Sequence, residues 1–216
     1  MSAEDLLIPR VLKILLSKAV SQMDFWAHGM HISAGGYLTV WYYISQGLIK
    51  VKLDRLGSHI PKGAEAAYEG LIHTLWLRRD TYGSRPAERS AILHECTHAL
   101  RDIMQGPAFK KEGMYGNKIK GQLHFDDEAA AYIAEALFYI YDNDVERPID
   151  MNADEQKYGS AIAIFSTANE IAGGLKGRMR AVVKEEDFAD LKQKISLDPI
   201  NATIAGPTDP DDSGRW

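Results

Sequence analysis

Within the 216 residues, the run His94-Glu95-Cys96-Thr97-His98 is the strongest chemical signal. On a helix, positions i and i+4 lie one turn apart on the same face. The imidazoles of His94 and His98 can therefore reach a single ion, at about 2.0–2.1 Å for zinc. Glu95 is offset by one residue and points beside such an ion rather than at it. There its carboxylate can take a proton from a water that the ion has acidified. The expectation is two metal ligands, His94 and His98, with Glu95 as the general base of a hydrolysis.

A catalytic zinc needs a third protein ligand and an open position. The downstream candidates are His124, Asp126, Asp127, Glu128 and Glu135. Glu128 opens the run Glu128-Ala129-Ala130-Ala131-Tyr132-Ile133-Ala134-Glu135, whose alanines let two helix axes approach closely. That suits Glu128 to an ion held on the first helix. Glu135, two turns along, is expected to make a polar contact or face solvent, and Asp126 and Asp127 read as N-terminal helix charges. Asp102, one turn past His98, reads either as an acceptor for that imidazole or as a solvated charge. Cys96 reads as a small buried hydrophobe. Candidates to stabilise an oxyanion are Tyr132, Tyr158 and His124. His124 is also the candidate fourth ligand of a closed, structural site. His28 and His31, close to Trp26 and without a carboxylate in register, read as local packing. His59 reads as a loop residue and His73 as a core histidine.

The elements that must position these residues follow from periodicity. Leu7, Val11, Ile14, Leu15 and Ala19 recur at helical spacing over residues 6–23, with Pro9 placing the regular start near Ile8. Gly35-Gly36 reads as a break before an aromatic segment, 37–44, whose pattern decides for neither helix nor strand. Residues 48–53 alternate as a half-buried strand, and residues 71–79 as a second one that includes His73. Ser84 as N-cap, Pro86 and Glu88 in the first turn and Gly106-Pro107 as the stop place a helix over 85–105, around the histidine motif. Residues 109–122, rich in Lys and Gly, read as a mobile solvated loop. A strong helix is expected over 126–141, an acidic connection over 142–154, and further helices over 155–173 and 185–195. Residues 205–216 read as a disordered tail.

The composition, 45% hydrophobic and 25% charged, is that of a globular chain, with one domain expected over 1–204. A net charge of −5 argues against a broad grip on nucleic acid. The N-terminus lacks the order of a secretory signal and no run of about 18 apolar residues occurs, so neither a leader nor a membrane span is expected. The single cysteine excludes an internal disulfide and fits a reducing compartment. A cytoplasmic protein is expected, with signal-independent export left open.

The two runs, His94-Glu-Cys-Thr-His98 and Glu128-Ala-Ala-Ala-Tyr-Ile-Ala-Glu-Ala-Leu, resemble the signature helices of gluzincin metallopeptidases. They are closest to the minimal bacterial ImmA/IrrE-like group, over residues 70–141. The resemblance implies a zincin-like α+β fold, a short sheet packed on several helices with the metal between two of them. It also implies Glu128 as third ligand beside His94 and His98, Glu95 as base, zinc as cofactor, and a protein or peptide substrate, with a regulatory protein partner possible. The loop between the two helices departs from the family pattern, and no DNA-binding companion domain accompanies them. Two rivals remain open: a zinc amidase acting on a small molecule or cell-wall peptide, and a non-catalytic zinc-containing binding or regulatory module.

Overall fold

Buried apolar residues at helical spacing set the helices, and two small sheets complete a mixed α+β architecture. The computed structural model describes residues 3–55, 57–61, 64–104, 122–144, 161–199 and 201. The sequence readings on 105–121, 145–160 and 202–216, including Gly106-Pro107, Tyr158 and the tail, fall outside the described residues. So does the first part of the helix expected over 155–173.

The N-terminal periodicity resolves into two helices, α1 (Ala3–Leu15) and α2 (Lys18–Ser21). Pro9 lies inside α1 rather than near its start. Leu7, Val11, Ile14 and Leu15 are all buried, and that packing outweighs the one backbone bond that Pro9 forfeits. Ser17 begins the second helix, its hydroxyl accepting the Val20 N–H. Strands β1 (Asp24–Ala27) and β2 (Met30–Ser33) form an antiparallel hairpin. Its two turn residues, His28 and Gly29, both have positive φ, as a type I′ turn requires.

The aromatic segment is helical, α3 (Ala34–Ser45), capped by Ser33 and burying Tyr37, Val40 and Ile44. Gly35-Gly36 does not break the chain but sits in the first turn of α3. A Cβ on Gly36 would stand 2.9 Å from Leu100 Cδ2, so this glycine permits the close approach of α3 to the helix that carries the histidine motif.

Strand β3 (Lys50–Leu53) lies where alternation placed it. The strand expected over 71–79 is shorter. Gly70–Ile72 is a 3-10 turn, His73 ends it at φ 47°, and β5 covers Thr74–Leu77. All four β5 residues are buried because β5 is the centre of a sheet, between β3 and a further strand, and is covered on both faces. The His59 ring, for example, stacks on Trp76 at 3.7 Å. Strand β4 (Ala66–Glu69), antiparallel to β5, forms the edge.

Helix α4 (Pro86–Met104) carries the motif. Ser84 is not its N-cap. Instead the buried Glu88 carboxylate reaches back to accept the N–H groups of Gly83, Ser84 and Arg85, the Ser84 hydroxyl and Arg79. Helix α5 (Gln122–Asn143) begins four residues earlier than expected. It packs against α2, α4, α6 (Ala161–Leu175) and α7 (Glu185–Leu197). Before α7, the two-residue strand β6 (Ala181–Val182) joins β1 in parallel, giving the order β2-β1-β6. No described helix is long and apolar enough to cross a membrane.

Glu88→Ala removes an acceptor shared by three otherwise orphaned N–H groups. It is expected to cost about 1–3 kcal/mol, read as a lower urea midpoint with an unchanged m value. An unchanged midpoint would show that the α4 start is held by something else.

Candidate metal centre

α4 and α5 run antiparallel, and a sequence of polar contacts crosses their interface. Arg89 meets Asp142, and Ser90 meets Glu135 at 3.4 Å. One turn further along α4, His94 Nδ1 lies 3.0 Å from Glu135 Oε2. Then His98 Nδ1 lies 2.8 Å from Asp127 Oδ2, and Arg101 lies 3.4 Å from Asp127 Oδ1. A carboxylate only accepts, so both imidazoles carry a hydrogen on Nδ1 and present Nε2 on the other side of the ring.

Both Nε2 atoms turn to Glu128. His94 Nε2 is 3.3 Å from Glu128 Oε2, and His98 Nε2 is 3.5 Å from Glu128 Oε1. The ligand atoms of His94, His98 and Glu128 all lie within 4.8 Å of one another, a grouping that can hold a metal ion. Bonds of about 2.0–2.2 Å at tetrahedral angles would set ligand atoms roughly 3.3–3.6 Å apart. The two histidine-to-carboxylate distances fall in that range, each to a different oxygen of Glu128. Two imidazoles and a carboxylate fit zinc, and the same donor set also holds Fe(II) in facial-triad sites.

Charge sets the protonation of these side chains. Burial alone would lower both histidine pKa values. It is outweighed at His94 by Glu128 and Glu135, which hold the imidazolium well above the ordinary range. At His98, Asp127 and Glu128 raise the value to about 9. Burial opposes ionisation of Glu128 too, but the two histidines pull its carboxyl down to about 2.

Glu95 stands beside the cluster, as its offset implied. Its Oε2 accepts the Tyr68 N–H of β4 at 2.7 Å, and burial raises its pKa above the usual carboxylate value. The sheet edge beside the motif is therefore β4, which the sequence did not reveal, rather than the strand that follows it.

Several sequence readings require correction. Asp126 and Asp127 are not first-turn charges, because α5 starts at Gln122. Asp127 orients His98, and the buried Asp126 accepts Lys192 Nζ at 2.6 Å. Of the two readings for Glu135, the polar contact holds and exposure to solvent does not: Glu135 is buried and orients His94, because the antiparallel crossing brings the later turn of α5 to the earlier turn of α4. Asp102 does not reach the His98 Nδ1, which Asp127 occupies. His73 is not on a strand, and it is only half-buried. His31 has a carboxylate after all, Asp24 at 2.8 Å, and stacks on Trp26. His28 stacks on Phe188, with Asp126 and Glu185 at 3.6 and 3.7 Å. The reading of Cys96 stands: it is buried, and burial drives its thiol pKa upward.

Tyr132, one turn after Glu128, lies edge-on to the His94 ring at 4.7 Å. His124 is buried with Nδ1 3.9 Å from Glu128 Oε1, outside the three-residue grouping.

No family model, curated protein or solved structure matches this chain. The functional reading therefore rests on the geometry and on the resemblance of two helices.

Two outcomes are expected. Asp127→Asn and Glu135→Gln should each weaken metal binding about 10–100-fold, read by competition with a chromogenic chelator. In chelated protein, the stabilisation from the raised histidines is full below their unfolded pKa near 6.5 and is lost as pH rises through about 9 for His98. The depressed Glu128 contributes above about pH 4.3 and loses its contribution as pH falls toward 2. Melting temperature followed from pH 6 to 9.5 should fall without metal. It should hold with zinc added, since the ion replaces the protons.

Proposed function

We propose that this chain is a zinc-dependent metallopeptidase with a zincin-like fold. The observation that carries the reading is the placement of Glu95, a carboxylate pinned to the edge strand β4 beside a His94–His98–Glu128 donor set. A three-ligand site with a neighbouring base suits hydrolysis. An Fe(II) facial triad has no need of that base.

Zinc, bound by His94, His98 and Glu128, would supply Lewis acidity to a carbonyl and acidify a nearby water. The chain's own residues do the remaining work. With Oε2 committed to the Tyr68 N–H, Glu95 has Oε1 to take the proton of the attacking water and return it to the leaving amine. Its raised pKa brings both transfers closer to neutral pH. Asp127 and Glu135 hold the imidazoles in the tautomer that presents Nε2.

A peptide substrate is supported by the same strand. The Tyr68 N–H points away from β5, so by strand alternation the backbone groups of Ala66 share that outward edge. An extended peptide can lie along such an edge. The likeness of the two helices to ImmA/IrrE-like gluzincins supports the reading as well.

One observation favours a different class, a non-catalytic closed site. The Nε2 of His124 is buried without a hydrogen-bond partner among the described residues, one turn before Glu128. A shift of this imidazole would supply a fourth ligand, and structural zinc sites are closed in that way.

The decisive assay compares wild type with Glu95→Gln and His124→Ala for bound zinc and for cleavage of a peptide library. The expected result is one zinc in all three, with cleavage about 10²–10⁴-fold lower in Glu95→Gln. Zinc lost from His124→Ala, with no cleavage by wild type, would establish the closed site instead. A narrow small-molecule amidase would retain the dependence on Glu95 but leave every peptide intact.

A further inference from the structure

The sheet β2-β1-β6 turns one face to the core and opens the other to solvent. Phe25, Ala27 and Ile32 point inward and are buried. By strand alternation Trp26 lies on the outer face, in register with His31 on one side and Val182 on the other. Trp26 is 39% exposed and Val182 70%. The chain stays extended through Lys184, at φ −66° and ψ 141°. Arg180, Val182 and Lys184, all exposed, therefore alternate with Ala181 and the buried Val183. Just before β6 the chain turns away from α6. Gly177 adopts φ 75° with its N–H donated to the Tyr141 phenol oxygen, and Arg180 adopts φ 51°. Between these two positions stands Met179, 83% exposed and flanked by Arg178 and Arg180.

The cations here are uncommitted. Arg178, Arg180 and Lys184 have no ion pair or side-chain hydrogen bond among the described residues. Arg79, Arg89 and Arg101, by contrast, each meet a carboxylate. The neighbouring acids are engaged elsewhere. Asp24 Oδ1 lies 2.8 Å from His31 Nε2, and Glu185 lies 3.7 Å from His28. Glu186 and Asp187 sit in the first turn of α7, where the helix dipole favours them. The net charge of −5 does not cancel this local field, because charges more than about 8 Å away are largely screened at physiological salt.

Exposed apolar side chains among unpaired cations suit an anionic bilayer surface, which takes up the first and attracts the second. We propose that this face docks the protein peripherally on a membrane of anionic phospholipid. Met179, Val182 and Trp26 enter the headgroup layer, and Arg178, Arg180 and Lys184 meet the phosphates. Other occupants fit less well. A second copy would set like charges against each other. Single-stranded nucleic acid stacks on open aromatic faces, whereas Trp26 is already stacked on one side by His31 at 4.6 Å. An acidic peptide would satisfy the cations but leave Met179 and Val182 in water.

The test is sedimentation of the full zinc-loaded chain with two kinds of vesicle, phosphatidylcholine alone and an equal mixture with phosphatidylglycerol. Binding to the mixed vesicles is expected to be at least about 10-fold tighter. Arg178→Ala with Arg180→Ala should weaken it about 30-fold, at about 5-fold per cation. Met179→Ser with Val182→Ser should weaken it at least about 10-fold. These side chains are exposed, so both variants should melt with wild type; if either does not, Met179→Ser alone decides. Tryptophan emission should shift to the blue on the mixed vesicles, and Trp26→Phe should lose that shift. Equal binding to both vesicles, binding to neither, or binding that no variant weakens would overturn the proposal. So would retention of a single-stranded oligonucleotide or of polyglutamate without vesicle binding, which would assign the face to a nucleic acid or an acidic protein. None of these readouts depends on cleavage, so they stand apart from the Glu95→Gln assay.

Discussion

The crossing of α4 and α5 forces ionisable groups into a desolvated interface, and much of the surrounding structure follows from that. His94, Asp127 and Glu135 are all buried. Charges removed from water are tolerated only when each meets a partner in good geometry. The antiparallel direction supplies those partners in order along the seam, from Arg89–Asp142 at one end to Arg101–Asp127 at the other. Alanines 129, 130, 131, 134 and 136 keep α5 slim enough for four other helices to surround it. A leucine at any of these positions would push a neighbouring axis outward and stretch contacts that are only useful near 3 Å.

The remaining elements fix α4 from its other sides. Glu88 holds the start of the helix, and the sheet is brought against it through β4. Behind the motif, Tyr37 of α3 hydrogen-bonds Thr97 at 2.8 Å, and Gly36 lets α3 sit directly on Leu100. Thr97 thus faces α3 while His94 and His98 face α5, so the motif helix is held on two neighbouring faces. The precision of the three-donor cluster is a product of this clamping, since the imidazoles themselves have free χ angles.

The residues that meet at the site differ in how visible they are in the sequence. His94, Glu95 and His98 declare themselves because their relation is internal to one helix and follows from its pitch. Glu128 was reachable through its alanines. Asp127 and Glu135 were not, because their roles depend on the direction in which α5 crosses α4, which no single-helix period encodes. The start of α5 compounded this, since placing it at Asp126 rather than Gln122 turned two interior carboxylates into cap charges. Strand β4 escaped notice because Ala66, Ala67 and Glu69 have little strand propensity and form a segment of only four residues. The apparent alternation after it ran through Leu71 and Ile72, which are 58% and 48% exposed in a 3-10 turn. A pleat period over a few residues can arise by chance. An edge contact such as Tyr68 with Glu95 leaves no trace in the sequence.

The encirclement of α5 also bears on how such a protein can be divided. His28 from the N-terminal hairpin and Lys192 from α7 converge on Asp126, immediately before the aspartate that orients His98. Strand β6, just before α7, closes onto β1 near the start of the chain. The helix that supplies Glu128 is thus a hub to which the N-terminal hairpin and α7 are both fastened. The two signature helices do not amount to a portable module. Cut free with only the sheet beside them, they would present the alanine and aromatic faces of α5 to water. Any transplant of this centre into another scaffold would have to recreate its surroundings, and a truncation that removed the β1–β2 hairpin or α7 would be felt at the imidazoles.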